Sequence, residues 1–363
     1  MTEAAAGEGP LPPRANPDLV GHERAEALLR DGYRSGRLAH AWLLTGPPGV
    51  GKATLAFRFA RFVLAGGGDG DLLAGTEEGL FVPPDHPVFR RVAAGSHADL
   101  LTVEHSYDER RKRMREEIVV GDVHAMGPFL RLTAGEGGWR VVVVDSADEL
   151  NHTAANALLK LLEEPPNDSL ILLVSHAPGR LLPTIRSRCR ALGLRPLAED
   201  IVRRVVARCR PDLDAGETAT LVRLAGGSPG HALRLAGQGG VGLYTEMIEL
   251  LARPPASDVE ALHGLAERLA RPSARPAYHA LLDLLLQWLA RFVREHAAGK
   301  AGTAFVSGED EAVRRLRARG GLAHWTEVWE KVGRLAVRAE RVNLDRKQVV
   351  ISAFNMIETV PRP

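Results

Sequence analysis

The chain has 363 residues, of which 45% are hydrophobic and 25% are charged, and its formal net charge is only +2. These values are ordinary for a globular protein of two or three domains, and the charge balance excludes the strong basic field that would by itself indicate nucleic-acid binding. The only cysteines, Cys189 and Cys209, exclude a disulfide framework and a four-cysteine zinc site, and they suit a reducing cytoplasm.

The N-terminal segment, residues 1–17, is rich in proline, glycine and alanine, so it predicts a disordered leader without the apolar run of a signal peptide. No uninterrupted apolar stretch is long enough to span a membrane, so no membrane partner is expected. Apolar spacing then predicts a helix from about His22 to Gly36, a buried strand over Ala41–Thr45 and a helix over residues 52–65. A glycine-rich loop between a strand and a helix is the setting that a phosphate-binding loop requires.

That loop, Gly46 to Ala53, reads GPPGVGKA and matches the pattern GxxxxGK[ST] except at its last position. In such a loop the glycines let backbone N–H groups surround phosphate oxygens, and the lysine, here Lys52, reaches the outer phosphates. The hydroxyl that would hold Mg²⁺ is replaced by the methyl group of Ala53. Thr54 does not simply replace it, because successive helical side chains point about 100° apart. The loop, the threonine after it and an aspartate at a later strand end are predicted to line a degenerate nucleotide site. These residues are Gly46, Gly49, Val50, Gly51, Lys52, Ala53, Thr54 and Asp145.

The next part of the chain is less regular. Glycine, proline and acidic residues predict a surface loop over residues 66–87, and Leu100–Val103 predicts a strand. A dense basic cluster follows at Arg110–Arg115. Two interpretations of the cluster stay open: a solvated hairpin or loop, and a contact for nucleic-acid phosphate or an acidic partner.

Two strongly apolar strands complete the first domain. The valines Val141–Val144 predict a central parallel strand, buried on both faces, that ends in the carboxylate of Asp145. A helix is predicted from about Asn151 to Glu164 and a second buried strand over Ser169–Ser175. Strands that alternate with helices, with the glycine loop after the first, predict a doubly wound parallel α/β domain up to about Pro196.

Strand signals vanish after that domain. Residues 198–240 predict a small helical unit, and long amphipathic helices follow, such as Leu281 to Phe292 and Trp325 to Val342. The C-terminal third has no glycine loop and no carboxylate cluster, so it predicts a packing or assembly module.

Together these residues resemble the clamp-loader subunits of the AAA+ family, as found with bacterial DNA polymerase III. The most specific segments are Val141–Pro166, which reads VVVVDSADELNHTAANALLKLLEEPP, and Leu182–Cys189, which reads LPTIRSRC. The segment Ala39–Leu44, before the glycine loop, also fits. The resemblance covers residues 18 to about 235 well and the rest by general character.

The resemblance implies a RecA-like α/β P-loop domain over residues 18–196, a small helical lid over 197–240 and an all-α collar over 241–363. It implies a hetero-pentamer with motor subunits and a delta subunit, joined through the collar. Such a complex opens the sliding clamp and places it on primed DNA during replication.

The resemblance also implies site roles. Arg188, in Ser187-Arg188-Cys189, is implied to be an arginine finger that acts in trans on ATP bound by the adjacent motor subunit. At three positions the functional group of the hydrolysing members is missing. Ala53 lacks the hydroxyl, Ser146 stands where a glutamate polarises water, and Gly230 replaces a lid arginine. Many relatives carry a zinc module after the P-loop helix, but no cysteine is present there, so no zinc or other metal is expected.

The sequence therefore predicts a stator subunit that requires no cofactor and acts on a neighbour's ATP. Binding of ATP or ADP without efficient hydrolysis stays open, as does any intrinsic ATPase activity. Asp148 and Glu149 are expected to be solvated acids at a helix entry. One alternative is an active AAA+ motor, in which Thr54 and Asp148 serve as substitutes. Another is a stand-alone DNA-repair or recombination ATPase.

Overall fold

A computed structural model of the chain describes residues 11–68, 79–109, 112–136, 138–253, 259–300 and 302–359. The chain forms two compact units. The first comprises Met1–Val202 with Gly227–His231, and the second comprises Arg203–Gly226 with Ala232–Pro363. The three-domain division inferred from the resemblance stays a prediction.

A five-stranded parallel sheet forms the centre of the first unit, with the strand order β2-β5-β6-β1-β7. A small antiparallel hairpin, β3–β4, stands apart from it. The strands are β1 (Ala41–Thr45), β2 (Leu100–Val103), β3 (Tyr107–Asp108), β4 (Arg113–Met114), β5 (Arg140–Asp145), β6 (Ser169–Ser175) and β7 (Arg190–Gly193). The valines of β5 have no exposed surface, which confirms the predicted doubly wound α/β fold with a central buried strand.

Helices pack on both faces of this sheet because alternate strand residues point to opposite sides. Val141 and Val143 join the apolar cluster that contains the helix after the glycine loop, whereas Val142 and Val144 join the cluster on the other face. The helices that begin in the first unit before the boundary are α1 (Glu23–Arg34), α2 (Lys52–Leu64), α3 (Pro87–Ala94), α4 (Val120–His124), α5 (Met126–Arg131), α6 (His152–Glu163), α7 (Pro183–Arg188) and α8 (Glu199–Cys209).

The expectation of a disordered leader is wrong for its described part, residues 11–17. Two arginines of α2 hold this segment through its backbone carbonyls. Arg61 donates to Arg14 O at 2.9 Å and to Asn16 O at 2.8 Å, and Arg58 donates to Pro17 O at 2.6 Å. Because Arg58 and Arg61 are buried, these carbonyls supply hydrogen bonds that solvent cannot. Residues 1–10 lie outside the described part of the chain.

The second unit is helical throughout its described residues. Its helices are α9 (Ala215–Leu224), α10 (Pro229–Gly237), α11 (Gly240–Ala252), α12 (Val259–Ala270), α13 (Arg275–Ala297), α14 (Glu309–Arg317), α15 (Leu322–Arg341) and α16 (Arg346–Glu358). The first residues of α10 belong to the segment assigned to the first unit. Its apolar core surrounds one buried carboxylate, Glu309, which accepts hydrogen bonds from Tyr244 Oη at 2.8 Å and Trp288 Nε1 at 3.1 Å and pairs with Arg291. In the described ranges, every helix is too short or too polar to cross a bilayer.

Candidate functional site: a closed phosphate loop and an exposed arginine

The glycine loop lies between β1 and α2, as predicted, and its three glycines have backbone angles that favour glycine. The φ values are +144° at Gly46, +75° at Gly49 and +113° at Gly51. A Cβ atom on Gly46 would lie 2.4 Å from the carbonyl oxygen of Leu194, just after β7. The loop therefore keeps the backbone shape of a phosphate cradle, and glycine is needed to form it.

Lys52 is folded back onto the loop that it follows. Its side chain is buried, and Nζ donates to Gly46 O and Pro47 O, each at 2.7 Å. Burial lowers the pKa of Lys52 to about 8, although the carboxylates of Asp145 and Asp148 oppose this shift. At neutral pH the amine of Lys52 therefore stays mostly protonated, and its hydrogen bonds hold the first two carbonyl groups of the loop.

A distant segment holds the rest of the loop. We call Gly227–His231 the latch. Ser228 Oγ donates to Pro48 O at 2.6 Å, and the backbone N–H of Gly230 donates to Gly49 O at 2.9 Å. His22 Nε2 lies 2.8 Å from the next carbonyl oxygen, Val50 O. Each carbonyl from Gly46 to Val50 thus has a hydrogen-bond partner in the chain itself.

The latch approaches so closely that its facing residue must be glycine. A Cβ atom on Gly230 would lie 2.9 Å from both Cα and O of Gly49. A Cβ atom on Gly49 would in turn lie 2.8 Å from the backbone nitrogen of His231. An arginine at position 230, as implied for hydrolysing relatives, does not fit this arrangement. The sequence shows that the arginine is absent. Only the structure shows that the backbone of Gly230 packs directly against Gly49 instead.

The remaining positions of the site differ in what they offer a metal ion: Asp145 keeps a carboxylate at the end of β5, whereas position 53 has no oxygen. Ala53 packs with the apolar cluster around α2. At the end of β5, Ser146 Oγ donates to Asp145 Oδ1 at 3.1 Å and lies 3.0 Å from His176 Nε2. Because the serine proton is given to Asp145, Nε2 of His176 is the donor in this arrangement. Ser146 is buried and hydrogen-bonded, so it does not supply a base for an attacking water.

The expectation that Asp148 is a solvated acid is wrong. Its carboxylate accepts from the backbone nitrogen of His176 at 2.8 Å and from that of Ala177 at 3.2 Å, directly after β6. Glu149 is half-buried, its Oε2 lies 3.0 Å from His105 Nε2, and burial raises the pKa of its carboxyl. Both acids therefore make contacts at the C-terminal ends of the parallel strands. Asp148 binds the backbone after β6, and Glu149 lies against His105, which follows β2.

Arg188 is the last residue of α7 and remains partly exposed. Nη2 lies 2.8 Å from Oε1 of Glu163, and Nη1 donates to Thr184 O at 3.1 Å. The arginine two positions earlier, Arg186, is also exposed. Arg188 is thus available at the surface of the unit, whereas Lys52 is enclosed.

The residue after Arg188, Cys189, is buried, and burial raises the pKa of its thiol to about 11. At pH 8 only about one thiol in a thousand is then the reactive thiolate. We expect a thiol reagent to modify the exposed Cys209 in the native protein and Cys189 only in denaturant. Intact-mass analysis counts the labels, and Cys209→Ser should show none under native conditions. Native labelling of that variant would contradict the buried position of Cys189.

The basic cluster after β2 is only partly described. Arg110 and Arg111 lie outside the described residues. Lys112 is exposed, and Arg115 Nη2 lies 3.6 Å from Asp108 Oδ2. Both interpretations of this cluster therefore stay predictions.

The parallel sheet, the glycine loop after β1, the strand-end carboxylate of β5 and the helical second unit define a RecA-like P-loop protein of the AAA+ class. A family model described as DNA polymerase III, delta subunit, matches residues 21–198. The delta' subunit of DNA polymerase III from Escherichia coli is 31% identical over 279 residues, 76% of this chain and 76% of that protein. The chain belongs to the family of DNA polymerase III delta' subunits.

Other relatives agree with this family. The delta' subunit from Pseudomonas aeruginosa is 40% identical over 208 residues, which are 55% of this chain and 57% of that protein. The gamma/tau subunit from Mycobacterium tuberculosis is 27% identical, over 88% of this chain and 57% of that protein. The match thus spans little more than half the length of each of these two relatives. A solved gamma subunit-related protein from Thermotoga maritima is 19% identical, with a TM-score of 0.37 over 92% of this chain and 99% of that one.

Proposed function

We propose that this chain is a stator subunit of a DNA polymerase III clamp loader and that it supplies Arg188 to ATP bound by an adjacent motor subunit. One observation supports the proposal: Lys52 is buried against carbonyls of its own loop and Gly230 stands at the loop without a side chain, while Arg188 stays exposed. In this proposal the partners are motor subunits and a delta subunit in a hetero-pentamer. The sliding clamp and primed DNA are met through that complex, in the cytoplasm.

The pocket supports a structural role for the loop rather than ATP hydrolysis. The backbone cradle and Lys52 fit a phosphate, but Ala53 offers no oxygen to a Mg²⁺ ion, and Ser146, which donates to Asp145, supplies no base for an attacking water. The latch holds Pro48 and Gly49 through their carbonyl oxygens, and it places Gly230, which has no side chain, against the loop. We therefore propose that the chain requires no nucleotide and that any ATP or ADP bound in this loop is not efficiently hydrolysed.

ATP turnover by the purified chain tests this part of the proposal. We expect no hydrolysis above the background of a mock preparation, with or without Mg²⁺. Since ordinary enzymes turn over at about 1 s⁻¹ or faster, a rate in that range would contradict the stator proposal and favour the motor alternative. Lys52→Met serves as the control, because a genuine rate from this pocket must disappear in that variant.

A further inference from the structure

Two groups of the first unit hold the guanidinium of Arg188. Glu163 Oε1 is 2.8 Å from Nη2, and Thr184 O accepts from Nη1 at 3.1 Å. Glu163 is the last residue of α6, and Thr184 lies one turn before Arg188 in α7. Because the two contacts use different nitrogens of a planar group, they fix the plane of the guanidinium as well as its position.

These contacts leave donors for another ligand. A guanidinium has five N–H donors, and Glu163 and Thr184 O engage two of its nitrogens with one contact each. The side chain of Arg188 is also 36% exposed, so the residue stays accessible from solvent. The pair therefore orients the arginine without using up its capacity to bind phosphate oxygens.

Stability alone does not explain a carboxylate at position 163. A negative charge at a helix C-terminus is unfavourable, because it faces the negative end of the helix dipole. An exposed ion pair contributes only about 0–1 kcal/mol, and Glu163 is 48% exposed. The next residue, Glu164, is also exposed and offers an acid of the same kind in the same turn.

We propose that Glu163 is a positioning residue for Arg188: it holds the guanidinium in a fixed plane before the neighbour's triphosphate arrives. This inference rests on the proposed function of Arg188. Glu163 itself contacts neither the phosphate nor the attacking water. Its effect on ATP hydrolysis therefore passes entirely through Arg188.

The test uses the reconstituted clamp loader with its clamp and primed DNA. Glu163→Ala is expected to lower kcat for ATP by about 10- to 100-fold, because an error of about 1 Å in a catalytic group can cost 100-fold. KM for ATP should change less than about twofold, since the nucleotide is bound by the neighbour. Glu163→Gln keeps an acceptor oxygen and should lose less, and Glu164→Ala should match the unsubstituted complex.

A double substitution separates positioning from a structural effect. In complexes that already carry Arg188→Ala, Glu163→Ala should cause no further loss of kcat. A further loss, or a Glu163→Ala complex as fast as or faster than the unsubstituted one, would overturn the role of Glu163. If Arg188→Ala alone has no effect, both proposals fail, and this result is distinct from failure of the Glu163 proposal alone.

Discussion

Replacing Arg188 with alanine is expected to lower ATP hydrolysis at the adjacent subunit's site by about 10³-fold or more. Arginine fingers in GTPases contribute about 10³–10⁵ to the rate, because the guanidinium meets charge that develops on the transferred phosphoryl group. The loss should appear in kcat rather than in nucleotide binding. The cleanest measurement is steady-state ATP turnover by a complex in which only that adjacent subunit keeps an intact P-loop lysine.

Arg186 provides the matched control for this experiment. It is an exposed arginine in the same helix, two positions before Arg188, so Arg186→Ala removes the same charge from the same region. We expect that variant to retain full activity and both variants to assemble normally. Equal losses in the two variants would show an effect of surface charge rather than a finger.

Replacing Gly230 with alanine is expected to lower the free energy of unfolding of the first unit by about 1–3 kcal/mol, the range for overpacking a closed site. The added methyl group would meet backbone atoms of Gly49 at 2.9 Å, and backbone yields less readily than a flexible side chain. The latch should move away from the loop, so the amide of Gly230 should lose its partner and exchange faster with deuterium.

Gly237, which follows in the same helix α10 but belongs to the second unit, is the control for adding a methyl group where there is room for it. No heavy atom lies within 4 Å of a Cβ built there, so Gly237→Ala should stabilise the helix by about 0.5–1 kcal/mol. Urea titration and hydrogen exchange, run on both variants, measure the difference. A Gly230→Ala protein that is as stable as Gly237→Ala and protects its latch amides would contradict the close packing described above.

The sequence allowed prediction of those features that depend on local pattern. The buried strand Val141–Val144 is apolar and β-branched at every position, a pattern typical of a strand covered on both faces. The glycine loop was recognisable because glycines at fixed spacing mark backbone angles that other residues avoid. Arg188 was found through the resemblance, because a Ser-Arg-Cys triplet has no meaning by itself.

The long-range hydrogen bonds around the glycine loop and the sheet could not be predicted in the same way. Ser228 lies 180 positions after Pro48, so no local pattern links the two residues. Asp148 accepts from two backbone nitrogens after β6, and the sequence does not show which strand end lies opposite an acid. The ordered part of the N-terminal segment depends on buried arginines of α2, whose partners are carbonyls and thus carry no sequence signal.

ATP turnover should be compared between two reconstituted complexes, one carrying Arg188→Ala and the other Lys52→Met in this chain. Both variants should fold, which circular dichroism and assembly can verify. If the chain contributes only through its neighbour's site, Arg188→Ala should abolish turnover at that site while Lys52→Met leaves it unchanged. Loss of turnover with Lys52→Met and retention with Arg188→Ala would show that this chain's own pocket performs the hydrolysis.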